Sequence, residues 1–113
     1  MLPSFERRQS TRYSMSLNVE FKIRKDGKFV PGGNGRIHDV SRAGIFFESG
    51  AEIPPGTVLR LLVDWPVRFQ GKTRVGWVVD GVVLRSTASG TAVSIMRQWF
   101  ERGVLSKKKT LAS

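Results

Sequence analysis

The sequence predicts an all-β domain: a small antiparallel barrel of six to seven strands, preceded by a flexible basic arm and followed by a short C-terminal helix. Three observations carry this prediction. Apolar and polar residues alternate without a break from Met15 to Arg24, the period-two signature of a half-buried strand. Turn-forming residues, among them 12 Gly and 5 Pro, cut the remainder into strand-length pieces. Helical character is confined to one short stretch near the end. With 113 residues, 40% of them hydrophobic, the chain is long enough for one domain with a single modest core.

The elements follow in order. Residues 1–13 carry charge without periodicity and read as an arm; 14–105 form the barrel with its helix, and 106–113 a basic, disordered tail. In the first strand Leu17, Val19, Phe21 and Ile23 share one face, and Ser16, Asn18, Glu20, Lys22 and Arg24 the other. Lys25-Asp26-Gly27-Lys28 is a turn, and Pro31 to Gly35 is a flexible loop rich in glycine. Strand signals resume at Gly35–Val40, Gly44–Glu48 and Val58–Trp65, with Ile53-Pro-Pro-Gly-Thr57 as punctuation. Thr73–Arg85 reads as one long strand or two, broken near Asp80-Gly81; a tight turn over Ser86–Gly90 leads into Thr91–Met96. Gln98–Arg102 has helical character and is ended by Gly103, its Trp99-Phe100 sealing one end of the barrel.

Composition removes several function classes. The chain has no Cys and one histidine, His38, so neither a disulfide framework nor a thiolate or histidine-cluster metal site is available. No apolar run reaches the roughly 20 residues of a membrane span, and the N-terminus lacks the apolar segment of a secretory signal. The expectation is a cytoplasmic protein. No Ser/His/Asp set, Walker sequence or dinucleotide fingerprint is present, so no enzyme is expected. The net charge of +10 favours anionic partners. Twelve of the 19 cations are arginine, which suits bidentate recognition of phosphate and guanine.

Two constellations carry chemistry. Arg8-x-x-x-Arg12 lies in the arm, where two long cations have no core or helix face to decorate; its bland reading is a solvated basic N-terminus. Asp39-x-Ser41-x-x-Gly44 is the rarer of the two. Asp and Ser at i and i+2 of a strand end point the same way. The carboxylate can accept from guanine N1–H and N2–H, and the hydroxyl can donate or accept beside it. Gly44 permits a bulge or left-handed turn and close backbone approach. An ordinary Asx or Ser turn between two strands is the structural alternative. Trp65, Trp77, Phe46 and Phe47 fit either a stacking platform for single strands or the barrel core.

Taken together and in this order, the two motifs resemble the hallmark of the PilZ family: Arg-x-x-x-Arg, then Asp or Asn-x-Ser-x-x-Gly. The resemblance runs from Arg7 to about Arg102, and all five motif positions match. It implies a six-stranded barrel acting as a bacterial receptor for cyclic di-GMP. It also implies that Arg8 and Arg12 contact guanine and phosphate, and that Asp39 and Ser41 bind a guanine edge with Gly44 leaving space. Arg7, where the family varies, bears on how many ligands bind; Arg42 and His38 flank the second motif as further phosphate contacts. The implied mechanism is an arm organised by the nucleotide, creating a surface for an unidentified partner protein. Two alternatives stay open: a small basic nucleic-acid-binding barrel using the arm, Lys25–Lys28 and Lys107–Lys109 on phosphates, and a PilZ-like adaptor that has lost nucleotide binding.

Overall fold

Six antiparallel strands close on themselves in the order β1-β2-β3-β6-β5-β4. A computed structural model describes residues 13–69 and 73–103, with side chains placed for 16–66 and 73–103. The strands are β1 (Tyr13–Lys25), β2 (Lys28–Val40), β3 (Gly44–Glu48), β4 (Val58–Phe69), β5 (Thr73–Thr87) and β6 (Gly90–Arg102). Closure comes where Val19–Ile23 of β1 pair with Leu59–Val63 of β4. The predicted alternation in β1 holds: Val19 and Phe21 are buried, while Asn18 and Arg24 are exposed. Asp26 and Gly27, at φ of 50° and 77°, make the two-residue turn joining β1 to β2, the left-handed pair that matches strand twist.

The core is the barrel interior. Val19, Ile37, Phe47, Leu59, Leu61, Val63 and Val79 are fully buried there, and Trp77 is 6% exposed. Ile53, from the β3–β4 connection, plugs one end. Its N–H donates to Ser86 Oγ at 2.9 Å, and that hydroxyl pairs at 2.7 Å with buried Thr91. At the other end Trp65 stands edge-on to Trp77 and to Phe100, with ring centroids 5.6 and 5.4 Å apart. These tryptophans are core, so the stacking-platform reading falls away for them.

Two expectations need correction, and one open choice is decided. Pro31–Gly35 is not a loop but part of β2, paired with Glu20 to Lys22 and Val19 across a bulge. The glycines there accommodate an aromatic ring: a Cβ on Gly32 would lie 2.7 Å from the Phe21 ring. Pro31 is tolerated because β3 pairs with β2 only from Arg36 onward, which leaves that side without a ladder partner among the described residues. Thr73–Thr87 is one strand, and the Asp80-Gly81 step is a bulge against β6 rather than a break. Finally, Gln98–Arg102 is strand, not helix: Trp77 pairs with Phe100 and Val78 with Trp99. Five residues of weak helical propensity cannot compete with a ladder that also sets Phe100 against Trp65 and Trp77. Phe100 meets the tryptophans from a strand, and Trp99 lies on the opposite, outer face.

That outer face carries an ion-pair network. Arg60 donates through Nε and Nη2 to the two oxygens of Asp80 at 2.7 and 2.9 Å, and Arg97 Nε donates to Asp80 Oδ2 at 2.9 Å. The Arg60 hydrogen bonds, followed by that of Arg97, hold the Asp80 carboxyl below its ordinary pKa despite burial, and Asp80 in turn raises Arg60. The Arg60 guanidinium also lies 4.4 Å from the centre of the Phe29 ring and 5.3 Å from that of Trp99.

Candidate functional site

A bulge decides which way the second motif faces. Ile37 is fully buried and pairs with Phe47; strict alternation from there would turn Asp39 inward and Val40 outward. One extra residue, His38, sits in β2 between the Ile37–Phe47 and Asp39–Phe46 pairs. The phase therefore shifts by one. Val40 packs against the core, and half-buried Asp39 faces the outer surface beside Phe46. The extra residue is tied down on its own strand pair, with His38 Nε2 2.9 Å from Glu48 Oε1.

Asp39 then heads a row that crosses the sheet. It pairs with Phe46 of β3, Phe46 with Ala92 of β6, and Ala92 with Arg85 of β5. A second bulge, at Leu84, falls between the Val83–Val93 and Arg85–Ala92 pairs and brings Arg85 into this row. Leu84 itself is left 57% exposed. The result is a cavity of about 140 Å³ lined by Asp39, Ser41, Gly44, Phe46, Leu84 and Arg85, with Ala92 as part of its floor. Phe46 is fixed over the β5–β6 hairpin: a Cβ on Gly90 would fall 2.3 Å from its ring.

The three motif residues thus share one cavity, but two of them also hold the protein together. The Ser41 N–H donates to the Gly44 carbonyl at 2.9 Å, and the Gly44 N–H donates to Ser41 Oγ at 3.3 Å. The serine turn offered by the sequence as the bland alternative is therefore present. Gly44 is not left-handed; it is extended, and β6 passes so close that a Cβ would lie 2.8 Å from the Val93 carbonyl oxygen. Neither His38 nor the exposed Arg42 lines the cavity. Arg7, Arg8 and Arg12 lie outside the described residues, but Tyr13, the next residue after Arg12, pairs with Val40, and Ser14 with Asp39.

Chemically, the cavity offers a carboxylate at one end and a guanidinium at the other, with an aromatic face and an apolar side chain between them. Such a set accepts from paired N–H groups, stacks on a flat ring and binds phosphate or a purine Hoogsteen edge. Leu84 and Arg85 carry no motif, and sequence reading passed over them. The signal available was the Val82-Val83-Leu84 run, which breaks the alternation of a half-exposed strand. Among the described residues no three His, Asp or Glu side chains converge in a way that could hold a metal.

The PilZ domain family model matches residues 6–98, a span containing both motifs and reaching into β6. The chain belongs to the PilZ domain family. No curated protein sequence matches it significantly. PilZ domains are, as a family, cyclic di-GMP-binding receptor domains rather than enzymes. In this PilZ domain the second motif sits on the outer rim of the barrel, and the chain enters β1 directly beside it.

Proposed function

We propose that this PilZ domain is a cyclic di-GMP receptor whose ligand seats a guanine in the Asp39–Arg85 cavity. The observation that carries the reading is the outward turn of Asp39 into a cavity shared with Ser41, Phe46, Leu84 and Arg85. Asp39 accepts from guanine N1–H and N2–H, and the Ser41 hydroxyl, already oriented by Gly44 N–H, reaches the same edge. Phe46 and Leu84 flank the ring. At about 140 Å³ the cavity is below the usual few hundred Å³ of a small-molecule site, so it takes part of the ligand and the remainder needs another wall.

The arginine motif is the candidate for that wall. Arg8 precedes Tyr13 by five residues, a reach of at most about 17 Å, and Tyr13 and Ser14 are paired at the cavity rim. Arg8 and Arg12 would bind guanine O6/N7 and phosphate bidentately, with Arg7 and Arg85 adding charge. Ordering several residues costs about 1–2 kcal/mol each, offset by charge-assisted contacts of about 1.5–3 kcal/mol apiece. The expected affinity is micromolar. The organised arm and its ligand together form a surface for a partner protein, which is how binding becomes a signal.

Calorimetric titration with cyclic di-GMP tests the site. Arg12→Ala and Asp39→Ala should each weaken binding by about tenfold or more, about 1.4 kcal/mol, without lowering the melting temperature enough to unfold the domain. Parental affinity in both variants removes the assignment.

A further inference from the structure

Among the described residues, the far end of β6 is a strand edge left open. Ile95 N–H donates to Ala43 O at 2.9 Å, and β3 pairs with β6 only over Thr91–Ser94. From Arg97 to Arg102 β6 pairs with β5 on one side and with no strand among the described residues on the other, Met96 being the extra residue between the Gly81–Ile95 and Asp80–Arg97 pairs. Gly103 N–H donates to Arg74 O at 3.2 Å. Ladder alternation then turns the backbone groups of Arg97, Trp99 and Glu101 toward β5, and those of Gln98, Phe100 and Arg102 outward. Met96 and Phe100 on this stretch are 58% and 55% exposed. An unpaired, partly apolar edge is a template for another strand unless something covers it.

We propose that a second copy of this chain covers it, the two β6 edges pairing antiparallel about a two-fold axis at Trp99. The side-chain order selects this occupant. On the outer face Arg97, Trp99 and Glu101 follow one another, with Trp99 Nε1 donating to Glu101 Oε1 at 2.9 Å and Arg97 over the Trp99 ring at 5.3 Å. Reversed about Trp99, the strip complements itself: Arg97 faces Glu101 of the second copy, Glu101 faces its Arg97, and the two Trp99 rings meet. Opposite charges and aromatic pairs are the favourable cross-strand neighbours, and a self-complementary patch is what a two-fold interface requires. In this register Gln98 and Phe100 oppose each other, and both have outward backbone groups, so the hydrogen-bonding phase is satisfied too. A chain of net charge +10 repels itself elsewhere; here one of its nine acids lies opposite an arginine.

The pairing leaves the cavity open. Ala92 on its floor is seven residues from Trp99 along β6, about 23 Å at the rise of a strand, so a dimer presents two separate sites. The inference does not depend on which ligand those sites take.

Sedimentation of the full chain across about 1–100 μM tests it, with two variants and their controls. Gln98→Pro deletes an outward N–H that β5 does not use, a change an edge strand tolerates. It also removes the Gln98 Oε1 that accepts from Trp77 Nε1 at 2.8 Å, so Gln98→Ala, which loses that bond and keeps the N–H, is its control. Relative to Gln98→Ala the melting point should hold while dimer affinity falls at least about tenfold for the bonds lost. Trp99→Cys, in a chain with no other cysteine, places two thiols across the axis at cross-strand spacing suited to a disulfide. It should form a covalent dimer under mild oxidation, where Glu101→Cys does not. A monomer at every concentration overturns the proposal. So does a monomer whose outward Gln98 and Phe100 amides resist hydrogen exchange, which would place the chain's own terminal residues on the edge, and so does a dimer indifferent to Gln98→Pro.

Discussion

Replacing Gly44 with alanine separates two reasons for the last position of the second motif. A glycine beside a ligand can be there to let the ligand in; here it is also where β3 and β6 come closest. The added Cβ would lie 2.8 Å from the Val93 carbonyl oxygen, against about 3.3 Å or more for a comfortable carbon–oxygen contact. About 0.5 Å must therefore be found between two strands whose Gly44–Ser94 and Ile45–Val93 pairs support the buried Ile45 and Val93. Overpacking of this kind costs about 1–3 kcal/mol. In a domain of this size each kcal/mol lowers the melting temperature by about 4–8 °C, so the variant should melt about 4–24 °C below the parent. The loss should be the same without nucleotide. Circular dichroism melts with and without cyclic di-GMP, beside calorimetry on the same samples, decide it. A variant that melts like the parent yet no longer binds would refute the packing argument and leave ligand clearance as the glycine's role.

Four further outcomes follow from the geometry. Asp80→Asn leaves Arg60 and Arg97 without their shared carboxylate and should cost about 2 kcal/mol, discounted because Arg97 is 67% exposed and rehydrates; a thermal melt within 2–3 °C of the parent would count against it. Because the Asp80 carboxyl is held below its ordinary value, its contribution should be complete above about pH 4 and fade as pH falls through the folded-state pKa; chemical denaturation at stepped pH should show the parent losing more stability in that window than Asp80→Asn. Arg85→Ala should weaken cyclic di-GMP binding with little change in stability, since the side chain is exposed at the cavity mouth; unchanged affinity in a titration removes Arg85 from the site. His38→Ala should leave the melting point within a few degrees, because its pairing with Glu48 is solvent-exposed at 42% and 54%, and affinity close to parental; a tenfold loss would mean the imidazole reaches the ligand.

How much of this was legible beforehand depended on whether the signal was local. The alternation from Leu17 to Ile23 reports one strand with one buried face and needs no partner to interpret. The Asp-Gly turn at 26–27 is equally local. Glycines at 32, 33 and 35 look the same as sequence whether they free a loop or make room for a neighbour; only the Phe21 ring and the Glu48 backbone lying against them decide. Gln98–Arg102 reads as helix for a related reason: its strand state is imposed by Trp77 and Val78, about twenty residues away. The same holds at the cavity. Asp39, Ser41 and Gly44 announce themselves by spacing, whereas Phe46, Leu84 and Arg85 join them through two bulges and a strand order that no local pattern encodes. The bulge at His38 is visible in retrospect, because Ile37 and Val40 can both face inward only if one residue between them is extra.

The claim on which the functional reading rests is that cyclic di-GMP binds at the Asp39–Arg85 cavity. Amide chemical shifts followed by nuclear magnetic resonance during a titration with the nucleotide test it most directly. The account predicts saturable shifts centred on Asp39, Ser41, Gly44, Phe46, Leu84 and Arg85, together with the residues around Arg8 and Arg12, and little change at Asp26–Phe29 on the opposite rim. No shifts at millimolar nucleotide, or shifts centred away from that cavity, would contradict it.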